Sequence, residues 1–390
     1  MRDAVRNRFS GLYAREETAG LAIHKLKLDD IVFWGTLFLA WLVFALPVFR
    51  YLSFMIPFLV LVTCLSNRAV DAPALTKATI WYVVFAVAMY PMDDKEGLKD
   101  LMFTFSGISI GLLSTMPRIS LTAITAWTTA GFLVYFGLGG ALFRHIEIDL
   151  AHSYSTFESN YAFLFALLMP VAVLRRQWLQ FLFVTFMAVI CLKRIALLGA
   201  LLSCVFMLVP PRIGVRLINK WTMVAFNFFV LAMTMAYALG TFNYFIERNL
   251  KQSSNELGQG RMSLQREASR QILDQPHMFT FFGKGAGKAY LVAETSAQQY
   301  AKVNMHSDLL KLTYEFGFVF VAVYFYLLYS ARNYYERVIY LYYNFLMFTD
   351  NALIYYGFLF FLVVVARALC TPPEPKAKVV VAPRRTGLMW

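Results

Sequence analysis

Residues 178–210 read WLQFLFVTFMAVICLKRIALLGALLSCVFMLVP, an apolar run in which the only charges are Lys193 and Arg194. At ~1.5 Å of rise per residue a helix of this length overshoots the ~30 Å hydrocarbon core of a bilayer. The two cations therefore mark a turn between two membrane helices. The rest of the chain supports this reading: 59% of the 390 residues are hydrophobic and 15% charged, whereas soluble domains carry about 25% charge. Mean hydropathy is +0.57. These values exclude an ordinary soluble domain and predict an all-α polytopic membrane bundle.

Working outward from that turn, apolar runs fall at about 31–48, 51–66, 76–91, 101–116, 119–140, 160–174, 178–192, 195–210, 221–240, 307–329, 338–349 and 352–369. They predict twelve spans. Residues 1–30 carry Arg2, Arg6, Arg8, Arg15, Lys25 and Lys27 and read as a cytoplasmic segment rather than a leader. Spans 1–9 then occupy 31–240, a long outward loop 241–306, spans 10–12 residues 307–369, and a basic, proline-containing cytoplasmic tail 370–390. With this topology the short cytoplasmic segments collect most of the Lys and Arg, among them Arg68, Arg118, Arg175, Arg176, Arg212 and Arg332. The Lys193–Arg194 turn lies on the outward side, against the positive-inside bias.

The net charge of +13 is explained by those cytoplasmic loops, so no nucleic-acid partner is expected. Cys64, Cys191, Cys204 and Cys370 lie in or beside apolar runs without CxxC spacing, and neither disulfide nor metal is read from them. A two-halved transporter would carry its main loop after span 6 on the inside. Here the longest loop follows span 9 and faces outward.

That loop is the one long polar stretch. Residues 263–273 have helical spacing that ends at Pro276, and 278–282 read as a short extended or interface-hugging piece. Arg261 follows the flexible Gly258, Gln259, Gly260 and offers a planar fork of donors suited to phosphate oxygens. Arg266 and Arg270, four apart, form either a solvated face or part of the same grip. Residues 283–288 read GKGAGK but fail the P-loop template, since Phe282 and Ala289 stand where Gly and Ser/Thr are needed. The turn, with Lys284, is either a plain loop turn or a basic cradle of N–H groups.

His306 immediately precedes span 10, which Ser307 or Asp308 can cap. An imidazole there suits a general base, or is simply an interfacial polar group. His145 and His152 keep the second reading. Glu315 is an intramembrane carboxylate, hence a functional candidate, or else the partner of Lys311, whose ammonium can reach the surface along its stem.

Together these pieces resemble the O-antigen ligase and polymerase superfamily of bacterial inner-membrane proteins, over about residues 157–369. Phe157, Glu158, Ser159 and Asn160 resemble that family's Phe-x-x-Asn entry to a span. Lys193, Arg194, Ile195, Ala196, Leu197 and Leu198 resemble its Ser/Thr-Arg-x-x-Leu-Leu turn, with Lys193 in place of the hydroxyl residue. Gly260 with Arg261, the glycines 283, 285 and 287, His306 with Ser307 and Asp308, and Glu315 with Gly317 resemble its loop signature, although many members have Asn where Ser307 stands.

The resemblance implies a metal-independent, cofactor-free glycosyltransferase acting on an undecaprenyl-diphosphate-linked glycan at the periplasmic face. Arg194 and Arg261 would grip the diphosphate and His306 would be the base, with Asn160, Lys193, Arg266, Lys284, Asp308, Glu315 and Asp350 in support. The His306, Ser307, Asp308 start and the Thr349, Asp350, Asn351 turn look more like polymerases, which extend a lipid-linked repeat unit beside a chain-length regulator. A ligase transferring to lipid A-core is the alternative, and a polysaccharide flippase the distant one.

Overall fold

The computed structural model describes residues 28–67, 73–89, 95–113, 116–117, 119–138, 147–149, 154–251, 253, 261–297 and 305–370. Among them the chain is a helical bundle, with one two-residue antiparallel ladder pairing Ile148–Asp149 (β1) with Tyr154–Ser155 (β2). Every predicted apolar run lies on a helix. Five precede the ladder: α1 (Leu28–Ala45), α2 (Met55–Asn67), α3 (Ala74–Ala88), α4 (Lys95–Ser109) and α5 (Leu121–Leu138). After it come α6 (Tyr161–Leu174), α7 (Trp178–Ile190), α8 (Arg194–Leu208), α9 (Pro211–Leu217), α10 (Lys220–Ala238) and α11 (Asn243–Leu250). The long loop carries α12 (Arg261–Asp274), α13 (Pro276–Phe281) and α14 (Lys288–Ala297). The chain then forms α15 (Asp308–Leu328), α16 (Tyr334–Thr349) and α17 (Tyr356–Val364), which runs into a π-turn at Val365–Leu369.

Among the described residues three helices, α5, α10 and α15, are long and apolar enough to cross a membrane, and seven shorter apolar helices accompany them. Leu179, Leu182 and Phe186 on α7, with Leu198, Leu201 and Val205 on α8, are all exposed. Such an outward apolar surface is suited to lipid.

The centre is formed by α6 and α17. Tyr161–Val173 and Gly357–Val364 are buried at every position, as expected of helices apolar all round. α6 packs on α7 and α8, α8 on α16, α17 on α4, and α15 on α3 and α10. The connections gather at two ends. At one, Arg175 donates to Leu369 O, Arg337 to Ile218 O, and Arg367 to Gly111 O and Leu113 O. At the other meet the Lys193 turn, residues 155–160, the loop helices and the starts of α15 and α17. This alternation is what a helix-by-helix antiparallel path requires.

Three local expectations change. Residues 278–282 are not extended: Pro276, at the first helical position, starts α13. The run taken to begin at 338 starts at Tyr334, because Asn333 caps it by accepting from Tyr335 N at 3.0 Å. The long loop carries short helices, as the helical spacing of 263–273 led one to expect, and α12, α13 and α14 all pack on α15. Finally, α15 is broken. Gly317 has φ 86 and ψ 174 within it, and a Cβ there would lie 2.8 Å from Phe279 O, so only glycine fits.

The break explains the glycine-rich turn. The carbonyls of Tyr314 and Glu315 lose their helical donors and accept instead from Lys284 N (2.9 Å) and Gly285 N (3.0 Å). Glu315 Oε1 accepts from Gly287 N at 3.1 Å and Ala289 N at 3.4 Å. Buried backbone groups in an apolar bundle need such partners. The amides of the glycine turn are thus committed to α15, to the Glu315 carboxylate and to Met89 O rather than to a phosphate.

Candidate functional site

His306 stands where the loop meets α15, with φ 51. Histidine tolerates this left-handed region better than most residues, and such backbone outliers cluster at functional sites. Its carbonyl accepts from Gln265 Nε2 at 3.4 Å, and that of Met305 from the same nitrogen at 3.1 Å, so α12 fixes the turn from above. Ser307 ends the turn as the N-cap of α15, its Oγ accepting from Leu310 N at 3.3 Å.

The His306 ring is half-buried, and its Nδ1 is buried without a hydrogen-bond partner. Burial first, then the positive charges of Arg261 and Lys193, hold its pKa below the ordinary histidine value, against the upward pull of Asp350. The imidazole is therefore neutral, and able to accept a proton, at neutral pH.

Arg261 begins α12, and its Nη1 donates to Thr349 O at 2.7 Å. Lys193 precedes α8 and forms a 2.6 Å ion pair with Glu158 Oε1, which brings the Phe157, Glu158, Ser159, Asn160 segment beside the α7–α8 turn. Asn160 sits at the N-cap of α6 without a side-chain cap bond. Arg194 is exposed at the first position of α8. Asp350 is buried, its Oδ1 accepting from Asn351 N at 2.8 Å and Tyr355 OH at 3.0 Å. The structure thus gathers His306, Arg261, Lys193 and Asp350. From the turn, the positive charge of Lys193 bears on His306.

Other candidates have structural roles. Asp308 does not cap α15; its Oδ2 accepts from Leu353 N at 2.7 Å, tying α15 to the α16–α17 turn. Arg266 is not on a solvated face, because its Nε donates to Ala238 O at 3.2 Å, although Arg270 is exposed. Lys284 donates to Gln275 Oε1 at 2.9 Å. Lys311 does not reach the surface: it is buried and paired with Asp100 Oδ2 at 2.8 Å, and Tyr290 OH donates to the same oxygen. Glu315 holds the glycine turn rather than Lys311. His145 and His152 lie outside the described residues.

Sequence reading missed Asp100, Gln265 and Tyr355, and took Thr349 and Asn351 only as neighbours of Asp350 in a turn. A signal did exist for Asp100, since a lysine inside an apolar run requires a counter-ion. Among the described residues, no group of His, Cys, Asp and Glu is arranged to hold a metal ion.

The fold and site define a helical bundle with membrane-compatible helices and a histidine–arginine–lysine cluster at one end. No protein-family model, curated protein or solved structure matches the chain.

Proposed function

We propose that this protein is a metal-independent glycosyltransferase of the bacterial inner membrane, with twelve spans and both termini in the cytoplasm. It polymerises undecaprenyl-diphosphate-linked repeat units at the periplasmic face; ligation to lipid A-core is the alternative outcome of the same chemistry. One observation carries this reading. A neutral, half-buried imidazole with an unpartnered Nδ1 lies within the field of two cations, Arg261 and Lys193, at the end of the bundle that bears the long loop.

In the reaction the acceptor hydroxyl attacks the anomeric carbon as His306 takes its proton, and the bond from that carbon to the diphosphate oxygen breaks. Charge develops on the departing lipid diphosphate. Fixed cations in a water-poor setting stabilise it more than water would. Arg261 and Lys193 supply that field and Arg194 extends it to the exposed side, where a lipid-anchored diphosphate arrives. The partners are this donor, the acceptor glycan, the bilayer and a chain-length regulator.

Purified protein in nanodiscs, given lipid-linked glycan from the source strain's membranes, should lengthen it without added metal or nucleotide. A wild-type protein at full occupancy that yields neither polymer nor capped lipid A would end the proposal.

Two further expectations belong here. Arg261→Lys should lower turnover about tenfold or more, because an ammonium lacks the bidentate fork. It retains the positive charge, so the acid limb of kcat/KM stays in place. Arg261→Gln should lower turnover as well and move that limb to higher pH, since it removes a charge that depresses the His306 pKa. Equal activity in the wild type and both variants would remove Arg261 from the site.

For topology, a cysteine at position 255, in a background with the native cysteines replaced, should react with an impermeant maleimide in intact cells whose outer membrane admits the reagent. Reaction only after the inner membrane is opened would place the loop in the wrong compartment.

A further inference from the structure

Residues 306–308 and 349–351 contribute four buried side-chain atoms without a hydrogen-bond partner: His306 Nδ1, Asp308 Oδ1, Thr349 Oγ1 and Asn351 Nδ2. Twelve such atoms occur among the described residues, so a third of them fall on two short segments. The segments touch, since Asp308 N donates to Asp350 O at 3.2 Å. Asp308 Oδ2 is satisfied by Leu353 N at 2.7 Å, which sets the unpartnered Oδ1 beside the turn that carries Asn351. Asp308 is 0% and Asn351 2% exposed. Buried polar atoms in native proteins are seldom left unpaired, and where they cluster, a ligand or ordered water normally completes them.

The donor and acceptor pattern identifies the ligand's chemistry. An amide nitrogen only donates, a threonine hydroxyl donates and accepts, and a carboxyl oxygen pairs with a hydroxyl in either protonation state. A sugar hydroxyl, itself donor and acceptor, complements all three.

We propose that Asp308, Thr349 and Asn351 form a sugar-hydroxyl subsite that holds the acceptor ring against His306, separate from the cations that hold the diphosphate. This rests on the transferase reading above and adds to it the side on which the acceptor binds. A site built to pair with a hydroxyl also rejects a deoxy analogue strongly, because its polar atoms are then left bare. The subsite would therefore set acceptor specificity.

The test uses oligosaccharide released by mild acid from the strain's own lipid-linked glycan, which keeps the hydroxyls and lacks the diphosphate. Saturation-transfer NMR and titration against the full chain in nanodiscs should show binding to wild type. Thr349→Val and Asn351→Ala should each weaken it about tenfold, the loss of one hydrogen bond, while His277→Ala leaves it unchanged. Thr349→Val keeps side-chain volume and leaves the carbonyl that Arg261 uses, so it decides the matter if Asn351→Ala does not accumulate.

Failure of wild type to bind the oligosaccharide overturns the proposal. Binding by the variants equal to wild type overturns it too, and means these atoms hold an ordered water only. Oligosaccharide binding with neither elongation of the lipid-linked glycan nor its transfer to added lipid A-core leaves the subsite standing and removes the transferase reading instead.

Discussion

Alanine in place of His306 is expected to lower glycan transfer ~10²–10⁴-fold, the usual contribution of a positioned general base, with the protein still at its normal level in the membrane. The ring is half-buried and its Nδ1 has no hydrogen-bond partner, so truncation removes little packing and breaks no bond at that nitrogen. Backbone strain requires a control, because position 306 has φ 51. His306→Asn supplies it: asparagine adopts the left-handed region readily yet cannot act as a base near neutral pH. Both variants should fall by the same order. His277, exposed on α13, should tolerate alanine.

The pH profile adds a second signature. Burial, Arg261 and Lys193 hold the His306 pKa below the ordinary value. The acid limb of kcat/KM, which reports the free enzyme's base, should lie correspondingly below it. Activity of the Asn variant near that of wild type, or a loss matched by disappearance of the protein from the membrane, would contradict the assignment.

The bundle was legible in the sequence because an apolar run must satisfy its backbone within itself, and among the described residues the apolar runs lie on helices. The ends were legible where a side chain dictates them, as at Ser307 and Pro276. What could not be read is which faces meet. α6 and α17 are apolar all round, so their patterns carry no direction, and the buried centre emerges only from packing.

Gly317 shows a different limit. Its sequence neighbours are consistent with an unbroken span, and the break is stable because Lys284 and Gly285, some thirty positions earlier, supply the missing donors. The glycine turn was therefore visible as a motif while its purpose was not. The site divides in the same way. His306, Arg261, Lys193 and Asp350 were recognisable by type and position, and Thr349 and Asn351 as their neighbours in a turn, whereas Gln265 matters through a backbone contact that no local pattern announces.

The buried pair between Asp100 and Lys311 leads to the second large expectation. Their side chains are 8% and 5% exposed, 2.8 Å apart, and Tyr290 of α14 donates to the same carboxylate oxygen. Asp100→Ala leaves a buried ammonium with no ion-pair partner from α4, and should destabilise the protein by about 3–5 kcal/mol. Glu315, one turn along α15, already accepts from Gly287 N and Ala289 N and can replace Asp100 only by releasing the turn that mends the helix break. The measurement is the melting temperature in detergent, with membrane abundance alongside.

A compensating variant separates charge from packing. Asp100→Leu with Lys311→Met exchanges the pair for apolar groups of similar size, which is often neutral or stabilising. It should recover most of the lost stability. Recovery of activity should be smaller, because Tyr290 would still lack its acceptor. α14 packs on α12, and α12 holds the His306 turn through Gln265. A loosened α14 would therefore displace the base by way of α12 while leaving every residue of the site intact. A single Asp100 variant as stable as wild type, or a double variant no better than the single, would mean that this pair does not anchor the loop to the bundle.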